Sequence, residues 1–592
     1  LSYGEAVSGT NLHQAAKPGV PLKPPANYRV VGRTLPRVDI PGKVTGGESY
    51  VQDLRLPGMV HARVVRPPAY GATLAAVDIA HVEALPGVLK VVRDGSYLAV
   101  VADDEWRAIV AMRELTAVAQ WDAGPPLPDP ATIHATLMKL PAREIEVANQ
   151  TSPAAPAVRT LDAHYSKPYM THGSIGPSCA VAHFDNGVMT VWTHTQGVFP
   201  LRAGLAEMLS LPNERVRCIH VEGSGCYGHN CADDVAADAA LLARALPGRP
   251  VRVQLMREQE HTWEPFGPAM TTHATASLDA TGTIVDWKYE LWSNTHNNRI
   301  DNAGRLMPTW LLAKPFTPAP PQPIPMPEGG GDRNSIPLYR LPNLHVQSHF
   351  LPDMPIRVSA MRSLGAHMNI FAIESFIDEL ALAAGADPVE FRLKHLDDPR
   401  AREVIELAAQ RFGWQPRSAQ AARGDGRSSG ERDDTRGGTR GVGFAFAKYK
   451  NLMAYFAIAM EITLERDTGR IEIERAVAAI DCGQIVNPDG VRNQVEGGIL
   501  QTTSWTLYEQ TRFDTRGITS FDWSTYPIMR FSSVPKQVDV HMIDRPGQPF
   551  LGVGEAAQGP AAAVLANAIA DATGVRIRDL PLAGARLKAA LA

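Results

Sequence analysis

Apolar and polar positions along this chain follow two periods. Runs alternating at period two, or continuously apolar, predict strands: "MVHARVV" (59–65), "VLKVV" (88–92), "VMTVWTHT" (188–195), "VRCIHVE" (216–222), "AYFAIAMEITLE" (454–465) and "RIEIERAVAAID" (470–481). Apolar residues at three- and four-residue spacing predict helices over "DEWRAIVAMREL" (104–115), "RAGLAEMLS" (202–210) and "ADDVAADAALLARAL" (232–246). Further helices are expected from Val491 to Leu507 and after "GVGEAAQGP" (552–560). Proline and glycine punctuate the pattern. They predict a linker over 11–28, a boundary within 123–160 and a long loop over 313–335, draped on the surface. The polar stretch 418–440, "SAQAARGDGRSSGERDDTRGGTR", reads as a flexible insert. The expected division is 1–28, 29–150, 151–417, 418–440 and 441–592, with a mixed α/β and α+β fold.

Composition narrows the function classes. With 592 residues, one core is too few. Hydrophobic content of 44% and charged content of 20% fit a globular chain. A net charge of −4 gives no electrostatic footprint for nucleic acid or an anionic membrane. No apolar run reaches about 18 residues, so no transmembrane helix is expected. The five cysteines, Cys179, Cys218, Cys226, Cys231 and Cys482, form no C-x-x-C pair and fit no iron–sulfur or zinc spacing. "EHTWE" (260–264) lacks the third ligand of a zinc site. The chain opens at Leu1 within a domain-like stretch, so a preceding segment or a larger parent polypeptide is expected.

Candidate chemistry concentrates at glycines. "GSGCYGHNCADD" (223–234) spells G-x-G-x-x-G between a predicted strand and a predicted helix. Three readings stand open: a dinucleotide turn, a plain tight turn, and a backbone cradle for another polar ligand. Gly228 falls short of the helix, which Asn230 is placed to cap. The acidic residue that should follow, Glu258, comes late for a dinucleotide site. In "LGVGEAAQGPAAA" (551–563), Gly552, Val553 and Gly554 lead into Glu555. That carboxylate is either a helix-terminus charge or a general base projected from the turn. Gln196 follows a strand in "HTQG", and Arg362 precedes a helix in "AMRSLG". Gln494 stands in "RNQVEGGILQ" ahead of two adjacent helical glycines, Gly497 and Gly498, which cost about 1–2 kcal/mol and so signal a close approach.

In this order, "THTQG", "GSGCYGHN", "AMRSLG", "NQVEGG" and "GVGEAAQGPAAA" resemble the molybdopterin-binding large subunit of the xanthine oxidase and aldehyde oxidoreductase family. "RVVGRTLPRVDIPGKVTGGESYVQDLRLPGMVHARVVRPP" (29–68) resembles that family's hammerhead-like α/β entry domain. The likeness spans nearly the whole chain and lies nearest a bacterial branch of isoquinoline and nicotinate oxidoreductases and cytochrome-linked aldehyde dehydrogenases. It implies a hammerhead-like domain followed by two elongated molybdopterin-binding α/β domains. It implies Glu555 as catalytic base. Gln196, Gly225, Cys226, Tyr227, Gly228, Arg362, Gln494, Gly552, Val553 and Gly554 would line the cofactor, with molybdenum held by the pterin and by no side chain. Ser363-Leu364 alters the expected substrate wall, and Asn230-Cys231 stands where purine-oxidising relatives carry an acid. The reaction implied is aldehyde oxidation, or hydroxylation of an N-heteroaromatic ring, with oxygen from water. Molybdopterin is the implied cofactor, its cytosine dinucleotide form left open. The implied partners are a [2Fe–2S] subunit and a c-type cytochrome bearing haem, with periplasmic placement through them and cytoplasmic placement as the alternative. A separate chain or cleaved N-terminal fragment is expected to supply the pterin-cradling segments that would precede "LSYGE". A Rossmann-type NAD or FAD oxidoreductase and a non-catalytic scaffold subunit are the rival readings.

Overall fold

The computed structural model describes residues 2–10, 15, 17–416, 432–433, 438–582 and 584–591. The insert expected over 418–440 falls, apart from 432–433 and 438–440, outside the described residues. Three large sheets and a two-stranded ribbon form the frame. The predicted strands appear in place, among them Val60–Val65, Val88–Asp94, Val188–Thr193, Val216–His220, Tyr455–Glu465 and Arg470–Asp481.

The first sheet has seven strands. Val60–Val65 lies within it, parallel to Val251–Gln254 and antiparallel to Tyr97–Ala102. Strands from both sides of residue 150 therefore share one sheet. The cause is the apolar run itself: Val60–Val65 is almost wholly buried, so a strand must flank it on either side and both faces must be covered. The second sheet runs Arg143–Gln150, Asn343–Leu351, Ile284–Asn294, Met270–Leu278, Arg159–Lys167. The third is built on Gly438–Lys448, Tyr455–Glu465, Arg470–Asp481 and Val538–Ile543.

Two buried helices join the second and third sheets. Ala366–Ala383 sets Phe371 edge-on to Tyr165 and Phe376 against Trp287 of the second sheet. Gln558–Thr573 packs on that helix and on the third sheet. Its run of small residues makes the approach close: a Cβ at Gly443 would lie 2.1 Å from the Val564 carbonyl, and one at Gly559 2.4 Å from Ile370. Glu374, midway along the first of these helices, ties the layers together. It accepts from Arg392 (2.8 Å), Tyr339 (2.5 Å) and the Phe446 N–H (2.8 Å).

Lys167 ends its strand fully buried, and burial pushes its ammonium down to about 7. The unfolded lysine, near 10.5, binds more protons than the folded one between those two values, so stability rises with pH across that window. Lys167→Met should therefore raise the urea midpoint at about pH 6, a gain that shrinks toward about pH 10. Among the described residues no helix is long and apolar enough to cross a membrane.

Candidate functional site

The glycine turn is positioned by its neighbours. The strand Val216–His220 leads into it, and the helix Ala232–Ala245 leaves it. The N-cap of that helix is Cys231; Asn230, expected to cap it, stands one position ahead, its Oδ1 accepting from the Ala232 N–H at 3.1 Å. Gly228 has φ +144°, and a Cβ there would lie 2.1 Å from the Ala360 carbonyl. That face of Gly228 is closed by backbone: it bridges Met361, and His229 N–H donates to Ala360 O at 2.8 Å. Gly228→Ala should thus separate the turn from residues 360–362 and destabilise the fold by about 3 kcal/mol, read from the thermal unfolding midpoint. Tyr227, at φ +57° and 38% exposed, stays at the surface of the turn, and its carbonyl accepts from the Arg362 N–H at 2.8 Å. Cys226 points to Gly228 O and Asn230 Oδ1, and burial pushes its thiol up to about 11, so it remains a neutral thiol.

Arg362 gathers the remaining segments. Its guanidinium donates to the Gly554 carbonyl (2.8 Å from Nε), to Gln501 (3.0 Å) and to Gln494 Oε1 (3.0 Å). It thereby fixes the turn 552–554 against the helix Pro488–Leu507. Ser363 and Leu364 follow with φ +72° and +54°, two successive left-handed residues that are not glycine. This conformation aims the Ser363 N–H at Glu555 Oε1, 2.9 Å away. Glu555 Oε2 accepts from the Tyr449 hydroxyl. Behind the phenol stands Arg333, 2.6 Å from the Tyr449 oxygen and 3.7 Å from Glu555 Oε2. Burial and the adjacent Glu555 raise the Tyr449 phenol far above neutrality, so it serves as a proton-bearing donor.

The loop 313–335 departs from expectation here. Its first part is exposed, but Gly329, Gly330 and Asp332–Ser335 are buried. Three consecutive glycines let the backbone dive under the Ser363–Gly365 turn and deliver Arg333 to Glu555.

A cleft of about 310 Å³ opens beside this cluster, lined by Gly173, Tyr227, Arg362, Gly497, Gln501 and Trp505 among others. Gly498 faces Ala557, where a Cβ would come within 2.9 Å, and allows the two helices to touch. Gly497 has nothing within 4 Å and leaves the cleft wall bare. Glu509 also lines the cleft. Bonded to Ser504 and Tyr526, it is pushed up to about 7 by burial.

The structure thus brings together Glu555, Gly554, Arg362, Gln494 and Tyr227. Gln196 stands apart from this hydrogen-bond network, its amide oxygen accepting from Arg299 at 2.8 Å. Val553 packs on the core and Gly552 is exposed. Tyr449, Arg333 and the Ser363 N–H are functional candidates that the sequence pattern did not mark. The dinucleotide reading loses its geometry, since Glu258 lies on the helix Arg257–Trp263 instead of a strand end.

A planar, amide-edged pterin suits this site. The bare wall at Gly497 leaves room for a ring, and Arg362, Gln501 and Tyr227 offer donors and acceptors around it, with Gln494 holding Arg362. The molybdopterin cofactor-binding domain family matches residues 138–311 and 327–396 in one model and 376–535 in a second, together more than half the chain. Fold and site define a molybdopterin-binding protein. The chain belongs to the xanthine oxidase family of molybdenum-binding subunits. A nicotinate dehydrogenase subunit of Pseudomonas putida is 42% identical across 100% of this chain, which spans about half (49%) of that relative's length. The beta subunit of isoquinoline 1-oxidoreductase from Brevundimonas diminuta is 28% identical over 98% of the chain and 72% of its own. Quinoline 2-oxidoreductase of Pseudomonas putida 86 shares the fold, with a TM-score of 0.75 at 16% identity, over 95% of this chain and 98% of that one.

Proposed function

We propose that this chain is the catalytic, molybdopterin-binding part of a molybdenum hydroxylase that hydroxylates an electron-poor N-heteroaromatic ring, with water as oxygen source. The observation carrying this reading is the carboxylate of Glu555, held at both oxygens beside a cleft that suits a pterin. The 42% identity to a nicotinate dehydrogenase supports the ring substrate. Aldehyde oxidation is the second reading, supported by 24% identity to a membrane-bound aldehyde dehydrogenase of Gluconacetobacter polyoxogenes.

Arg362, Gln494, Gln501, Tyr227 and the backbone of 225–228 and 552–554 would hold the cofactor, with Gln196 beyond them. When bound, it supplies a molybdenum centre that activates water and accepts two electrons. The chain's own residues manage the proton. Each Glu555 oxygen accepts one hydrogen bond and keeps a lone pair free, so the carboxylate takes a proton from the attacking water without releasing Ser363 or Tyr449. Arg333 orients the Tyr449 phenol, and Arg362 keeps the turn that carries Glu555 in place. Electrons leave through a [2Fe–2S] subunit and a c-type cytochrome, a reading supported by relatives that are themselves parts of multisubunit enzymes. A further segment or chain would complete the cofactor cleft, a reading supported by the nicotinate dehydrogenase relative, of which this chain spans 49%.

The test is molybdenum analysis of the purified complex, followed by a substrate screen of pyridine-type carboxylates against aldehydes. A complex without molybdenum would overturn the reading. Gly497→Leu should fill the bare wall: molybdenum content should fall at least tenfold while the unfolding midpoint of the apo chain stays within a degree or two.

A further inference from the structure

Among the described residues, Asp162, His164 and His273 form a group whose ligand atoms all lie within 4.8 Å of one another. The group stands on the second sheet. In Arg159–Lys167, Ala163 and Tyr165 point into the core, so Asp162 and His164 share the outer face. His273 is the direct cross-strand partner of His164, and Thr275 that of Asp162. The two imidazoles stack with centroids 4.0 Å apart and planes 8° from parallel.

His273 is flanked by acceptors on both nitrogens. Its Nε2 lies 2.7 Å from Asp162 Oδ2, and its Nδ1 lies 3.3 Å from Glu290 Oε2. Glu290, at Nδ1, is placed to orient the ring as a carboxylate orients a histidine ligand. We propose that Asp162, His164 and His273 form a binding site for one divalent transition-metal ion of the zinc class, with Glu290 orienting His273. Two imidazoles and one carboxylate on rigid strands leave a fourth position for water. The site stands on the solvent face of a sheet whose other face packs on the helix Ala366–Ala383. It is separate from the cleft beside Glu555.

The experiment is calorimetric titration of zinc sulfate into chelator-treated full chain, beside Asp162→Asn, His273→Ala and a His164→Ala/His273→Ala double variant. All these side chains are at least partly exposed, so the variants should keep the wild-type circular dichroism spectrum. One zinc per chain is expected in the wild type. Affinity should weaken at least tenfold in each single variant, and the site should be lost in the double variant. Cobalt(II) should give the visible absorption of a tetrahedral N/O site in the wild type and not in the double variant. Equal zinc binding by wild type and double variant, or none by the wild type, would overturn the proposal.

Discussion

Glu555→Gln should lower kcat by about 10²–10⁴-fold, the range for loss of a positioned general base. The amide keeps the length of the side chain, and its oxygen can still accept from the Ser363 N–H. What it lacks is a lone pair basic enough to take the proton. Molybdenum content should therefore match the wild type, and so should the unfolding midpoint. Turnover within tenfold of wild type, in a variant with full metal content, would remove Glu555 from the reaction and with it the proposed mechanism.

Glu374→Ala should have the largest effect on stability, a loss of about 3–5 kcal/mol. The substitution leaves Arg392 buried without its counter-charge and removes the acceptor for Tyr339 and for the Phe446 N–H. Arg392 has no exposed side-chain surface, so solvent cannot take over. Urea denaturation followed by circular dichroism would measure the loss. A double variant Glu374→Leu/Arg392→Met should recover much of it, because an apolar pair of similar volume has no charge to satisfy. No recovery would assign the loss to the Tyr339 and Phe446 contacts instead.

Much of this architecture was legible from periodicity. The strands 455–465 and 470–481 and the helix 488–507 all show it, because each is a long element with one consistent period. The glycine turns and Glu555 could be marked because glycine in a turn has few other reasons to be there. Tyr449 and Arg333 could not be marked. Each reaches Glu555 from a different loop, and nothing within "AKYKN" or "GGGDRN" tells which carboxylate the folded chain will set beside it. The reach of 313–335 was misjudged for a related reason. Proline and glycine predict irregular backbone, which is usually exposed, yet glycine also permits irregular backbone to be buried where other chains crowd it. The pair His164 and His273 was equally silent: ligand spacing is read along one strand or helix, and this cluster exists only across a strand pairing.

The strand Val60–Val65 has a consequence for how the chain is made. Val60 pairs with Val251, about 190 positions further on. At ribosomal rates of about 5–20 residues per second, this run of valines waits on the order of ten seconds or more for that partner. Contacts of such long range also slow closure after synthesis. A nascent chain paused before residue 251 therefore presents an unpaired apolar edge, which makes it a client for chaperones and a site where early misassembly begins.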